Sequence, residues 1–183
     1  DYERVLKQRT ALLKSAKARG VRGDALTTLD VWDDKLVSLG TEVIEARMGL
    51  AADLAEPLAA AYAAIAGADH RPEATWALSV TGGDPEEGAD APAAASGSRI
   101  ADLFRQALAA RRGAELDRGL TLVGPHRDDL VLRVRELPVK GYASHGESWS
   151  VALALRLASA ELLRAESRLG DPVLILDDGQ AEL

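Results

Sequence analysis

The sequence predicts a mixed α+β fold, in which a helical arm domain (1–119) precedes part of an α/β lobe (120–183). Hydrophobic residues make up 47% of the chain but aromatic residues only 4%. The core must therefore be built mainly from Leu, Val and Ala, of which Ala and Leu favour helices. Apolar residues recur at helical spacing in the arm, whereas the spacing changes to a period of two after Leu120. A continuous apolar run at 173–176 is typical of a buried parallel strand.

The arm begins with two helices. Residues 1–19 carry one apolar stripe, and Gly20 ends this helix. The second helix has a heptad-like apolar seam, which suits two helices packed lengthwise. Its positions are Leu29, Trp32, Leu36, Leu39, Val43, Ala46 and Leu50. Pro57 breaks or kinks this pattern before a further helical piece at 58–65.

A short strand, a loop and a third helix complete the arm. Residues 75–80 predict the strand. Residues 82–97 are rich in Gly, Pro, Ala and acidic residues, which indicates a flexible, exposed loop. The third helix begins at a Ser98 cap and ends near Gly113.

The lobe follows the order strand, helix, strand. Leu130, Leu132 and Val134 alternate with other residues, as in a half-buried strand. Residues 150–164 are apolar nearly all round, which predicts a helix buried on several sides. The last strand, 173–176, needs neighbours that the chain does not supply. We therefore expect the chain to be a fragment whose missing sheet lies beyond its ends.

Composition excludes several classes of function. The chain has no cysteine, which excludes disulfides, thiolate catalysis and Cys-based zinc sites. A charged start and the lack of an apolar run of roughly 20 residues predict a cytoplasmic protein without a membrane segment.

The charge distribution limits contact with nucleic acid. The net charge of −7 repels DNA, so any DNA contact requires a local basic patch. Within residues 1–20, six basic residues face two acidic ones, and a solvated helix face is the ordinary interpretation of this patch. The basic residues are Arg4, Lys7, Arg9, Lys14, Lys17 and Arg19.

The first chemical motif is Ser144-His145-Gly146-Glu147, directly ahead of the predicted buried helix. A helix start presents unpaired N–H groups and the positive end of the helix dipole. A serine hydroxyl, and a glycine that a phosphate can approach closely, complete an anion site. The pattern Ser-x-x-Glu is also a capping box that only satisfies the backbone, which is the more usual interpretation of such a motif. The motif alone leaves both interpretations open.

The second motif is Asp177-Asp178, at the carboxyl end of the predicted strand 173–176. Acidic residues at this position lie where open α/β sheets bind ligands. In P-loop enzymes such an Asp holds Mg²⁺, and a neighbouring acid can orient the attacking water. The alternative is a solubilising strand end. No G-x-x-x-x-G-K-[ST] pattern occurs in the chain, so by itself it is expected neither to bind ATP tightly nor to hydrolyse it.

A charged turn, Gly-Pro-His-Arg-Asp-Asp at 124–129, carries weaker candidates. His126 and Arg127 could contact nucleotide or the DNA backbone. Ion pairing of Arg127 with Asp128 or Asp129 is an equally good interpretation. A metal site is disfavoured, because two hard acids and one His in a row rarely converge on one ion.

The order of these motifs resembles that of ABC-type ATPases, and the segments around them resemble the RecF family. This family consists of bacterial recombinational-repair ATPases related to SMC proteins. The resemblance covers nearly the whole chain, and GPHRDD together with SHGES is more specific than either ABC motif. The matching segments are TLVGPHRDDL (121–130), GYASHGESWSVALALRLAS (141–159), DPVLILDD (171–178) and YERVLKQRTALLK (2–14).

The resemblance implies a role for each motif. Ser144, Gly146 and Glu147 match the signature motif, which in such ATPases contacts the γ-phosphate of ATP held on the P-loop of the other subunit. Asp177 matches the Walker B Asp that holds Mg²⁺, and Asp178 takes the position of the catalytic carboxylate. One departure from the family pattern is Gly179-Gln180, which stands where an apolar pair is usual.

The resemblance also implies what the intact protein does. It would be a weak DNA-dependent ATPase of DNA replication, recombination, repair and the SOS response. It would bind ATP and Mg²⁺, dimerise on ATP, and bind single-stranded or gapped DNA, with RecR and RecO as partners. The fragment alone would be inactive and without a cofactor. Two alternatives are a subunit of another SMC or ABC-type ATPase, and a non-enzymatic helical module whose seam binds a partner protein.

Overall fold

The computed structural model describes residues 1–20, 27–68, 70–82, 97–167, 171 and 173–175. Over these residues the predicted mixed α+β class is confirmed. The elements are α1 (Tyr2–Ala18), α2 (Thr27–Ala66), β1 (Glu73–Ala77), a 3-10 turn (Ser79–Thr81), α3 (Gly97–Arg118), β2 (Asp129–Val134), β3 (Leu137–Pro138), α4 (Val139–Tyr142) and α5 (His145–Glu166). The strands form a sheet in the order β1-β2-β3. Strands β2 and β3 pair antiparallel, with Val134 opposite Leu137.

The chain divides into two compact units that interleave along the sequence. Unit 1 comprises Asp1–Ala51 and Thr75–Val131, and unit 2 comprises Ala52–Ala74 and Leu132–Leu183. Helix α2 and strands β1 and β2 therefore contribute residues to both units. The predicted boundary after residue 119 falls inside unit 1, and the division into arm and lobe stays a prediction.

The apolar core of unit 1 lies between α1, α2 and α3. Leu29 and Leu36 of the predicted seam are buried there, but Ala46 and Leu50 are exposed, whereas Ile44 is fully buried. The buried stripe therefore follows the helical period of 3.6 and not a heptad. The reason is that α2 packs against both α1 and α3 in this unit, not along one lengthwise partner.

Helix α2 runs without a break through Pro57. The helix does not end there because Leu54 and Leu58, on either side of the proline, are buried in unit 2. Their burial offsets the backbone hydrogen bond that proline removes. By length and composition alone α2 could also cross a bilayer. Ile44 and Leu58 of this helix are buried in the cores of the two units.

Helix α3 does not end near Gly113, as predicted, but continues to Arg118. The extra turn buries Glu115 and Leu116. Gly119 ends the helix at a φ of +70°, and its N–H donates to the Glu115 carbonyl at 2.7 Å. A glycine in the left-handed region is the usual end of a helix.

Two predicted segments around β1 also differ. The strand predicted at 75–80 exists but lies earlier, at Glu73–Ala77, because Ser79–Thr81 forms a 3-10 turn. Most of the predicted flexible loop, 83–96, lies outside the described residues.

One residue of the predicted basic patch is not on a solvated face. Arg9 is fully buried. Its guanidinium donates to Asp33 at 2.6 Å, to Glu115 at 2.6 Å and to the Thr121 hydroxyl at 3.0 Å. These bonds join α1, α2, α3 and the segment after α3. Burial disfavours the charge, but the hydrogen bond and charge of Glu115, with Asp33, raise the pKa of Arg9.

The core of unit 2 is formed by the end of α2, strand β2 and α5. Helix α5 buries one narrow stripe, which contains Val151, Ala154 and Ala158. The prediction that this helix is buried on several sides is wrong in this unit, since Trp149 and Leu163 are 53% and 59% exposed. Small alanines let the buried stripe pack closely, and Leu155 and Leu162 pack partly buried against the same core.

The strand predicted at 173–176 is not formed by the residues described there. Val173 and Ile175 are 88% and 83% exposed and lie outside any strand. A parallel strand requires a neighbour, and the described sheet consists of β1, β2 and β3 without residues 173–175. The following acids, Asp177 and Asp178, lie outside the described residues, as does Gly179-Gln180.

Candidate functional site

The start of α5 is held by a complete capping box. The Ser144 Oγ accepts a hydrogen bond from the Glu147 N–H at 3.3 Å, and the Glu147 Oε2 accepts one from the Ser144 N–H at 2.9 Å. The Ser144 hydroxyl also donates to Oε2 at 2.8 Å. The capping interpretation of this motif is therefore confirmed. The capping box fixes the orientation of the Ser144 side chain but leaves the start of α5 accessible to solvent.

The same helix start is open to solvent. Ser144, His145 and Gly146 are exposed. A Cβ built at Gly146 would meet no atom within 4 Å, so the backbone there can be approached closely. The N–H groups of the first helical turn have no acceptor within the helix, and they lie at the positive end of its dipole. Capping and anion binding are therefore compatible here.

A tight hairpin turn contacts this helix start. Arg135 and Glu136 join β2 to β3 with φ angles of +53° and +70°, as in a two-residue turn with both central residues left-handed. The Arg135 guanidinium forms an ion pair with the remaining oxygen of Glu147, Oε1. The Arg135 N–H donates to the His70 carbonyl at 2.7 Å. Sequence reasoning missed Arg135, because only the fold places the turn beside Glu147.

The charged turn at 124–129 lies in unit 1 and is tied to the segment after β1. The Ser79 Oγ accepts from the Gly124 N–H at 2.9 Å and donates to the Gly124 carbonyl at 3.0 Å. The Asp128 carboxylate accepts from the Ser79 N–H at 2.8 Å. Burial raises the pKa of Asp128, although the bonds from Ser79 act in the opposite direction.

His126 and Arg127 both bond to the Thr121 carbonyl. The Arg127 guanidinium donates to it twice at 3.2 Å and does not form the predicted ion pairs with the adjacent acids. The His126 Nε2 lies 3.2 Å from the same carbonyl and must donate to it, so in the neutral ring Nδ1 accepts from the Tyr2 hydroxyl at 2.8 Å. Burial lowers the pKa of His126, and the Arg127 charge adds to this effect. A role in binding nucleotide or DNA stays a prediction.

The structure thus brings some of the predicted site residues together and separates others. Ser144, Gly146 and Glu147 meet at one helix start in unit 2, whereas His126 and Arg127 belong to unit 1. Within the described residues, no group of three or more His, Cys, Asp or Glu side chains could hold a metal ion. The fold and site define a class: a mixed α+β protein with a helix start that is capped by Ser144 and Glu147 and open to solvent at Gly146.

Comparison with known proteins identifies the family. No family model matches the chain. The chain is 59% identical over 186 residues to the DNA replication and repair protein RecF of Leifsonia xyli subsp. xyli, and 56% identical over 191 residues to that of Clavibacter sepedonicus. A solved structure, of the recombination mediator protein RecF with ATP in the RecFOR pathway, matches with a TM-score of 0.81 at 26% identity.

The chain belongs to the RecF family. All of this chain is covered in these matches, but only 48%, 47% and 45% of the three proteins. It therefore spans about half the length of the RecF relatives it matches.

Proposed function

We propose that the chain provides one half of a shared ATP site in a DNA replication and repair protein. In this proposal the start of α5 receives the γ-phosphate of an ATP molecule held by a second subunit. The observation that carries the proposal is a helix start that is capped by Ser144 and Glu147 yet open at Gly146. The similarity to RecF proteins, one of them solved with ATP, supports it.

The chemistry of such a site follows from the backbone. A γ-phosphate would accept hydrogen bonds from the first-turn N–H groups that the capping box leaves unused, with the helix dipole favouring its charge. The capping box holds the serine in place before the phosphate arrives, which lowers the entropic cost of binding. Because ATP would bridge two subunits, its binding would drive dimerisation.

Metal binding and hydrolysis are assigned to the acids that follow the α5 region. We propose that Asp177 would hold the Mg²⁺ of the nucleotide and that Asp178 would orient the attacking water. Carboxylates are the donors that Mg²⁺ prefers, and the ion would neutralise phosphate charge when bound. Both residues lie outside the described part of the chain, so this assignment depends on the family resemblance.

The setting of this activity is proposed from the same resemblance. The protein would act in the cytoplasm, dimerise on ATP and bind single-stranded or gapped DNA, with RecR and RecO as partners. The solved relative is described as a recombination mediator in the RecFOR pathway, which supports the partnership. With a net charge of −7, the chain would need a local basic surface for any DNA contact.

The alternative of a helical module that binds a partner through the α2 seam has less support. The side chains of Leu29 and Leu36 in that seam are fully buried inside unit 1. A partner could bind them only after the unit had opened.

An experiment on the full-length protein tests the proposal. Ser144→Arg would place a bulky cation on the helix start, and we expect it to abolish ATP-dependent dimerisation, measured by sedimentation, while nucleotide binding is retained. Ser38→Arg is the matched control, because Ser38 is an exposed helical serine in unit 1. A Ser144→Arg protein that dimerises like the control would refute the shared site.

A further inference from the structure

We infer that Arg135 is a positioning residue of the proposed ATP site, which neutralises Glu147 where the phosphate would arrive. The inference rests on the proposed function and adds to it a residue outside the signature motif. Arg135 lies on the β2–β3 hairpin and not on α5, so the sequence of α5 alone does not predict its role.

The capping box creates a charge problem for an anion site. Glu147 is held at the first turn of α5 by its bonds to the Ser144 N–H and hydroxyl. Its negative charge therefore lies beside the groups that would bind a γ-phosphate. Two anions a few ångströms apart repel each other unless a cation lies between or beside them.

Arg135 supplies that cation. Glu147 uses Oε2 for Ser144 and Oε1 for Arg135, so each carboxylate oxygen has its own partner. The Arg135 side chain is still 55% exposed in this pair. A guanidinium has five N–H donors, so it can bind a carboxylate and still offer donors toward an arriving phosphate.

The backbone holds Arg135 in place. The hairpin turn is anchored by the bond from the Arg135 N–H to the His70 carbonyl. The neighbouring Glu136 pairs with Arg71 at 2.9 Å, so the nearest acid does not compete for Arg135. Asn and Gly are the residues that such a left-handed turn favours, whereas Arg135 and Glu136 both occupy it. Unfavourable backbone angles that persist are often explained by function.

The test removes the charge pair in two ways in the full-length protein. Arg135→Ala should weaken ATP-dependent dimerisation on the order of tenfold, because it leaves Glu147 uncompensated beside the phosphate. Adding Glu147→Gln should restore dimerisation, since glutamine keeps the capping acceptor without the charge. Arg71→Ala, which removes the other hairpin ion pair, should have no effect.

The outcomes separate this inference from the function on which it rests. If Ser144→Arg abolishes dimerisation but Arg135→Ala behaves as the wild type, only the inference about Arg135 is overturned. It is also overturned if Arg135→Ala weakens dimerisation and Glu147→Gln fails to rescue it, because Arg135 would then act through structure and not charge. If Ser144→Arg has no effect, the proposed function itself is wrong.

Discussion

The two units differ in whether charged residues enter the core. In unit 1, Arg9 and Glu115 are both fully buried and bonded to each other at 2.6 Å. In unit 2, the described buried residues carry no charge, and ion pairs such as Arg135 with Glu147 and Arg71 with Glu136 lie at the surface. The buried charges of unit 1 join helices α1, α2 and α3. The Arg135–Glu147 pair of unit 2 lies at the solvent-exposed start of α5.

This difference separates structural charges from charges that are available for binding. A buried ion pair is costly to break, because the remaining partner keeps its charge without water. An exposed ion pair contributes about 0–1 kcal/mol to folding. Removing the buried charge of Arg9 should therefore destabilise unit 1 strongly, while removing the surface charge of Arg135 in unit 2 should change binding more than stability.

The largest expected effect is at Arg9. Arg9→Met should lower the free energy of unfolding by about 3–5 kcal/mol, because Glu115 is left buried without its counter-charge. Urea unfolding followed by circular dichroism measures this loss. The double variant Arg9→Met with Glu115→Gln should lose clearly less, since the glutamine keeps an acceptor for the Leu122 N–H, which now donates to Glu115 at 2.7 Å. Equal losses in the single and double variants would show that charge burial is not the cause.

A smaller effect is expected at the helix start of unit 2. Ser144→Ala removes the cap and should cost about 1 kcal/mol of unfolding free energy. Ser150→Ala is the control, because Ser150 lies on the same helix and its hydroxyl donates only to the Gly146 carbonyl. That change should be close to neutral. If the two alanine variants are equally stable, the capping box contributes nothing measurable to the free energy of unfolding. The polar groups at the start of α5 would then contribute even less to stability, relative to buried Arg9, than we expect.

The sequence predicts elements better than it predicts burial. Helical periodicity correctly indicates α1, α2 and α5, and alternation indicates β2. The course of α2 through Pro57 was not predictable, because Leu54 and Leu58 become buried only when unit 2 packs around them. The buried position of Arg9 was equally hidden, since its partners Asp33 and Glu115 come from distant parts of the chain.

The candidate site shows the same limit. Ser144, Gly146 and Glu147 could be found from sequence, because a capping box and a signature motif are local patterns within four residues. Arg135 could not, because a left-handed turn that contains neither Gly nor Asn gives no clear turn signal. A motif within four residues can therefore be found in the sequence, whereas the ion pair of Arg135 with Glu147 depends on tertiary structure.

The smallest expected effect is a pH dependence that unit 1 acquires through His126. Its lowered pKa means that the unfolded chain binds the proton more tightly than the folded chain. The free energy of unfolding should therefore fall as the pH decreases through the ordinary histidine pKa of about 6.5. The ring is surrounded by Tyr2, Arg9 and Arg127, and the two arginine charges oppose its protonation. Urea unfolding at about pH 7.5 and about pH 5.5 brackets this transition.

The control for this prediction is His126→Gln, which does not titrate but can still donate to the Thr121 carbonyl. The wild type should lose more stability on acidification than this variant. Asp128, whose raised pKa contributes with the opposite sign at lower pH, is present in both proteins and cancels in the comparison. Parallel pH profiles would show that His126 titrates alike in the folded and unfolded chains. Buried Arg9 would then be the main electrostatic difference between the two units.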